Sequence, residues 1–121
     1  MEHCALKCKE IIALGMTEYK LLQLAGSAVQ HSKKEICASV VRRCIFHNLP
    51  FLDALPLALH SGGRGAMVQG KLVMLGTVHF MREKHIDVQY AIGFVRILIS
   101  RGYIARIITV DGKLAGVLGF K

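Results

Sequence analysis

The sequence predicts an α+β fold, a mainly antiparallel sheet with two pairs of helices packed on it. Three observations carry that expectation. The apolar runs come in the order strand, two helices, several strands, two helices, hairpin, which does not alternate as a parallel sheet requires. Asp111-Gly112 separates two apolar runs, a strong antiparallel hairpin signal because both turn positions need positive φ. Between Thr17 and Asn48 the apolar residues recur at helical spacing in two blocks.

Taken in order, Cys8 to Leu14 reads as a short strand ended by Gly15. Thr17 can cap the next helix through its hydroxyl, and Leu21, Leu22, Leu24, Ala25 and Ala28 continue it to about His31. Lys33 and Lys34 separate it from a second helix, whose stripe is Ile36, Cys37, Val40, Val41, Cys44 and Ile45 and which ends near Asn48 and Pro50. Phe51 to His60 reads as extended, because Pro56 disfavours a helix interior. Gly62-Gly63-Arg64-Gly65 reads as a glycine loop. Ala66 to Gln69 and Leu72 to Leu75 then form a hairpin about Gly70-Lys71, bounded by Gly65 and Gly76. Two more helices cover roughly Val78 to Glu83 and the stretch through Val88, Ala91, Ile92, Val95, Ile97 and Leu98, which Gly102 stops. Tyr103 to Val110 and Lys113 to Phe120 close the chain as a hairpin.

Composition narrows the function classes. A chain of 121 residues is expected to form a single domain. At 53% hydrophobic and 20% charged it has the make-up of a packed globule, which excludes a disordered tail or a fibrous repeat. Charged residues interrupt every candidate membrane span, so no direct membrane insertion by this chain is expected. The first residues lack the basic-then-apolar order of a secretory signal. Cys4, Cys8, Cys37 and Cys44 form neither Cys-x-x-Cys pairs nor a dense framework, so reduced thiols in a cytoplasmic setting are expected.

Several chemistries can be weighed from residue types alone. His3 with Cys4 and Cys8, or Cys37 and Cys44 with His47, offer metal donors, but Cys37 and Cys44 lie on an apolar helix stripe where free cysteine is commonly a small buried hydrophobe. No metal site is expected. The net charge of +8 would suit a polyanion. Lys33-Lys34 and Arg42-Arg43 are only short pairs, and the aromatic residues do not interleave with them as a stacking platform would require, so no nucleic acid partner is expected. A basic nucleic-acid-binding module stays as a lesser alternative. Gly62 to Gly65 can bring backbone N–H groups close to a phosphate, yet it lacks the Gly-Lys-Ser/Thr ending of a P-loop. With no nucleophile elbow and no paired carboxylates, no catalytic residue is expected in this chain.

In order, these pieces resemble the nucleotide-binding domain of heavy-metal-transporting P-type ATPases. Thr17 to Ala28 resembles that family's first helix, a Glu-Glu-Leu-Leu-x-Leu-Ala-Ala-Ser pattern, and Gly63-Arg64-Gly65 resembles its Gly-x-Gly. Leu72 to Met81, with Gly76 in its middle, resembles the Val-Leu-Val-Gly-Asn-x-x-x-Met segment. Val110 to Leu118, with Gly116, resembles the closing hairpin. The resemblance implies a cytoplasmic domain of a membrane protein that holds ATP, with Mg²⁺ on the nucleotide. A separate phosphorylation domain, carrying an Asp-Lys-Thr-Gly-Thr motif absent here, would receive the phosphoryl group, and an actuator domain would be the other partner. Separating holder from acceptor is reasonable because phosphoryl transfer is mostly positioning and charge stabilisation.

The departures from the pattern fall on the side chains that contact adenine. The family's Ser-x-His-Pro becomes Ser32-Lys33-Lys34-Glu35, so Lys34 stands at the histidine, Val29 at the preceding glutamate, and Thr77 replaces the asparagine after Gly76. The nucleotide-binding residues implied are therefore Lys34, Gly63, Gly65, Gly76, Thr77, Val29 and His31, with His31 and His60 flanking the cleft as substitutes for the lost histidine. Valine cannot accept a hydrogen bond from an adenine amino group, which costs on the order of 1–3 kcal/mol. Lys34 could offset part of it by cation–π contact or by attracting phosphates. The alternative within the same fold is a degenerate domain that binds no nucleotide and acts as a structural or regulatory surface.

Overall fold

A computed structural model describes residues 5–57 and 62–121. The strands are β1 (Cys8–Ala13), β2 (Ala54–Pro56), β3 (Gly63–Val68), β4 (Lys71–Gly76), β5 (Ile104–Val110) and β6 (Lys113–Phe120). The helices are α1 (Glu18–Val29), α2 (Glu35–Phe46), α3 (Val78–Glu83) and α4 (Gln89–Ser100). All six strands join one sheet in the order β1-β6-β5-β4-β3-β2, with every neighbouring pair antiparallel. The predicted α+β architecture is the one observed.

Helices cover both faces of this sheet. Leu21, Leu22, Ala25 and Val29 of α1 and Cys37, Val40 and Cys44 of α2 pack on one face against Val68, Leu75, Leu118 and Phe120. Phe80 and Met81 of α3 and Ala91, Val95 and Leu98 of α4 pack on the other, against Met74, Ile107 and Val117. Period-2 alternation divides neighbours between the two clusters: Val117 faces α3 and α4, while Leu118 faces α1 and α2. With apolar residues on both faces, the central strands read as continuous hydrophobic runs.

Local chemistry sets the boundaries. Thr17 Oγ1 accepts the Lys20 N–H at 3.2 Å and Thr77 Oγ1 accepts the Phe80 N–H at 3.0 Å, so α1 and α3 both start on a threonine cap. Asp111 and Gly112 take positive φ in the closing hairpin, as their sequence demands. Asp111 also accepts the Leu72 N–H at 2.8 Å, tying that hairpin to β4. The β3–β4 turn is Gln69-Gly70, one residue earlier than expected from Gly70-Lys71, because Gln69 and Gly70 are the pair with positive φ. The extended stretch after Pro50 narrows to β2, an edge strand whose Pro56 loses no interior ladder bond.

The expected glycine loop is also revised. Gly63 to Gly65 belong to β3, where Gly63 pairs with Gly76 and Gly65 with Met74. A Cβ at Gly63 or at Gly76 would run into the Phe80 ring, so the paired glycines seat that phenylalanine on the α3 side of the sheet. Gly116 is bare for a similar reason: a Cβ there would overlap Leu21 and stand 2.6 Å from the Ile12 carbonyl oxygen.

Glycines with and without such neighbours should respond oppositely to alanine. Gly116→Ala is expected to cost roughly 1–3 kcal/mol through overpacking. Gly93→Ala, in the exposed middle of α4 with nothing near its Cβ position, should gain about 0.5–1 kcal/mol. Urea denaturation of the two variants checks this, and equal effects would contradict the packing described for Gly116.

Candidate functional site

The connection from α1 to α2 is held tightly. Gln30 Nε2 donates to the Ser27 and Leu52 carbonyls at 3.0 and 2.9 Å, and the Leu52 N–H donates to Ser27 Oγ at 2.9 Å. The Ser32 N–H donates to the Val29 carbonyl at 2.9 Å, and the Lys34 N–H to Ser32 Oγ at 3.3 Å. Lys34 then stands as the N-cap residue of α2 and gives the helix no side-chain cap. Glu35, in the first turn, is ion-paired with Arg42 at 2.8 Å.

Opposite this helix start, β3, β4 and β5 leave an opening. A cleft of about 200 Å³ lies between them, walled by Ile36, Cys37 and Leu75 and by the backbone of Gly62 and Gly63. Lys34, Arg64 and Arg106 complete its lining. A second hollow of about 210 Å³ is lined by Ala28, Val29, His31 and Ser32 on one side and Pro56, Leu57 and Gly65 on the other. Arg64 lines both.

The cleft is electropositive. Arg64 Nη1 donates to the Gly63 carbonyl at 3.1 Å and Arg106 Nη1 to the Ala105 carbonyl at 2.9 Å, each to backbone beside it. Neither has an acidic partner among the described residues, whose ion pairs are Arg42–Glu35 and His79–Glu83. Burial pulls the Arg106 guanidinium below its ordinary range, because lost hydration disfavours the cation. It nonetheless stays charged near neutrality.

The expected site residues are distributed as follows. Lys34 and Gly63 line the cleft, while Val29, His31 and Gly65 line the adjoining hollow. Gly76 and Thr77 line neither. Gly76 faces Phe80, and the Thr77 hydroxyl is engaged in capping α3 while its N–H donates to the Gly62 carbonyl at 3.0 Å. These two therefore position the strand end that carries Gly62. Val29 is only 2% exposed. His60 lies outside the described residues.

Arg64 and Arg106 were not singled out by sequence reasoning. Arg64 sits inside the glycine stretch, whose glycines are the stronger local signal, and Arg106 interrupts an apolar run in an inner strand. That interruption is the signal that could have found it.

Arg42, Arg43 and Cys44 have structural partners. Arg42 donates to the Leu6 carbonyl at 2.8 Å as well as to Glu35, and Arg43 donates to the Cys8 carbonyl at 2.9 Å and to His47 Nε2 at 3.0 Å. The Cys44 thiol donates to the Leu22 carbonyl at 3.2 Å. His3 and Cys4 lie outside the described residues, and among those described no group of three or more His, Cys, Asp or Glu gathers. No described helix is long and apolar enough to cross a membrane.

No protein-family model matches this sequence, and no curated protein matches it. Solved structures do match the fold. A zinc-transporting PIB-type ATPase in its E2P state superposes with a TM-score of 0.86 at 20% identity, over 96% of this chain and 19% of that one. This chain thus spans about a fifth of that transporter's length. The N-domain of HMA8, a copper-transporting P-type ATPase, gives 0.78 at 15% identity over 93% of this chain and 97% of that domain. The N-domain of HMA6, another copper-transporting P-type ATPase, gives 0.77 at 20% identity over 98% and 100%. The fold is that of P-type ATPase N-domains.

Burial also sets a pH limit on the packing of α2 and β1. It pushes the Cys8 thiol up to about 12 and the Cys44 thiol up to about 11. An unfolded thiol ionises near roughly 8.5. The unfolded chain thus releases protons first as pH rises, and the stability due to the neutral buried thiols, complete below that value, is lost as pH climbs towards 11–12. Urea midpoints are expected to fall between neutral and alkaline pH, less steeply in Cys8→Ala. An identical decline in that variant would assign it to other groups.

Proposed function

We propose that this chain is the nucleotide-binding domain of a heavy-metal-transporting P-type ATPase, and that it holds ATP at the cleft between the start of α2 and strands β3, β4 and β5. The observation that carries the reading is the cleft itself: it lies in a fold shared with P-type ATPase N-domains and presents Lys34, Arg64 and Arg106 beside an apolar wall. The likeness extends over 93–98% of the chain for the two isolated N-domains.

Division of labour follows from the lining. Ile36, Cys37 and Leu75 supply apolar surface for a ring system, and the three cations supply charge for phosphates. At about 200 Å³ the cleft is smaller than the roughly 300–1,000 Å³ of common ligand sites, so a bound triphosphate would extend into solvent. That leaves the terminal phosphate within reach of another domain. Among the described residues no carboxylate lines the cleft, so Mg²⁺ would arrive on the phosphates, with its remaining ligands supplied by water or by that other domain. The chain's part is to bind and orient. The acceptor aspartate belongs to a phosphorylation domain, with an actuator domain as the further partner, and the whole would work on the cytoplasmic side of a membrane protein.

Titration with Mg·ATP, followed by amide NMR, tests the reading. Shifts are expected to cluster at Lys34 to Cys37, Gly62 to Gly65 and Arg106, and Lys34→Ala should weaken binding several-fold, by about 1 kcal/mol. No shifts at millimolar ATP, or shifts confined to other surfaces, would leave the domain as a contact surface without nucleotide.

A further inference from the structure

We infer that the cleft takes its ligand by the phosphate chain and does not select the base, so that its ligand class is nucleoside polyphosphates at large. This rests on the nucleotide reading above and names what that site discriminates.

Among the described residues, the side chains lining the cleft are one-sided in hydrogen-bond chemistry. Lys34, Arg64 and Arg106 are donors with no acceptor capacity, and Ile36, Cys37 and Leu75 carry no oxygen or nitrogen in their side chains. Base selection needs both donors and acceptors facing the ring edge, since an adenine amino group must donate to something. Of the backbone acceptors at hand, the Gly62 carbonyl already accepts the Thr77 N–H at 3.0 Å and the Gly63 carbonyl accepts from Arg64 at 3.1 Å, which leaves each a single lone pair. In the adjoining hollow Val29 presents only methyl groups, and the side-chain acceptors of its described lining are the exposed His31 and Ser32 Oγ, which also accepts the Lys34 N–H at 3.3 Å.

The same lining is well suited to an anion. Arg64 and Arg106 are both part-buried, and among the described residues each bonds only to the carbonyl of the residue before it, which leaves most of its donor fork for a ligand. A guanidinium fork matches phosphate oxygens in a bidentate way. Two unneutralised cations beside one cleft repel each other, and a multiply charged anion relieves that repulsion. A neutral nucleoside does not. The open first turn of α2 adds N–H donors of the same sign to this arrangement.

Amide NMR titrations of the intact chain with ATP, GTP, CTP, inorganic tripolyphosphate and adenosine decide the matter. The three nucleotides are expected to bind within about threefold of one another, tripolyphosphate to move the same cleft amides, and adenosine to leave them in place. Arg64→Gln and Arg106→Gln should each weaken all three nucleotides by a similar factor, on the order of tenfold. If either fails to give a dispersed spectrum, Lys34→Gln, altered at an exposed side chain, provides the same comparison. ATP binding about tenfold or more tightly than GTP and CTP, or adenosine shifting the cleft by itself, would overturn the inference and leave the nucleotide reading standing. Tripolyphosphate shifts without any nucleotide shifts, or no shifts at all, would overturn both.

Discussion

Covering both faces of one antiparallel sheet with helices is the constraint from which the rest follows. Strands in the middle of such a sheet are desolvated on both sides, so a charged side chain among them must find a partner or an opening. β3, β4 and β5 are middle strands, and apart from the exposed Lys71 at the start of β4, Arg64 and Arg106 are their exceptions. Neither has an acidic partner among the described residues, and both line the cleft. The gap beside the start of α2 is therefore more than a packing defect: it is where two guanidinium groups on inner strands meet water. A fully closed core at this point would require both arginines to be replaced.

The glycines change meaning once the sheet is in view. As a sequence, Gly63, Gly65 and Gly76 suggest backbone bared for a ligand. In the structure Gly63 and Gly76 are a cross-strand pair whose missing side chains admit the Phe80 ring, on the face opposite α2. The strand pair thus holds two roles apart by its pleat. One face receives Phe80, while the intervening Arg64 and its partner Leu75 turn to the cleft. Phe80 is in turn located by the Thr77 cap, and the Thr77 N–H fixes Gly62 at the cleft rim. A residue that touches no ligand can therefore set the position of the wall that does.

Much of the fold was legible because its signals are local. Helical spacing from Thr17 to Ile45, the Asp111-Gly112 turn and the strand at Tyr103 to Val110 each depend on residues a few positions apart. What was not legible depends on partners distant in the chain. Nothing near Gly63 announces Phe80, and the glycine stretch was accordingly expected as a loop. The site was legible in part: Lys34 falls at the cleft through its place between two helices, but Arg106 reaches it only because β5 lies beside β4. The Arg42-Arg43 pair shows the converse. Its charge is plain in the sequence, whereas its attachment to the Leu6 and Cys8 carbonyls requires the three-dimensional arrangement.

Lys7 and Lys121 exchange backbone hydrogen bonds at 3.3 and 3.0 Å, at one end of the antiparallel β1–β6 pair. Tension applied between these two residues would act across the strands, along the hydrogen bonds, and would load the rungs one after another from that end. Such a pair peels like a zipper instead of resisting as a sheared block. Mechanical strain entering through this corner would be absorbed by β1 and its few rungs before it reached β3, β4 or the arginines.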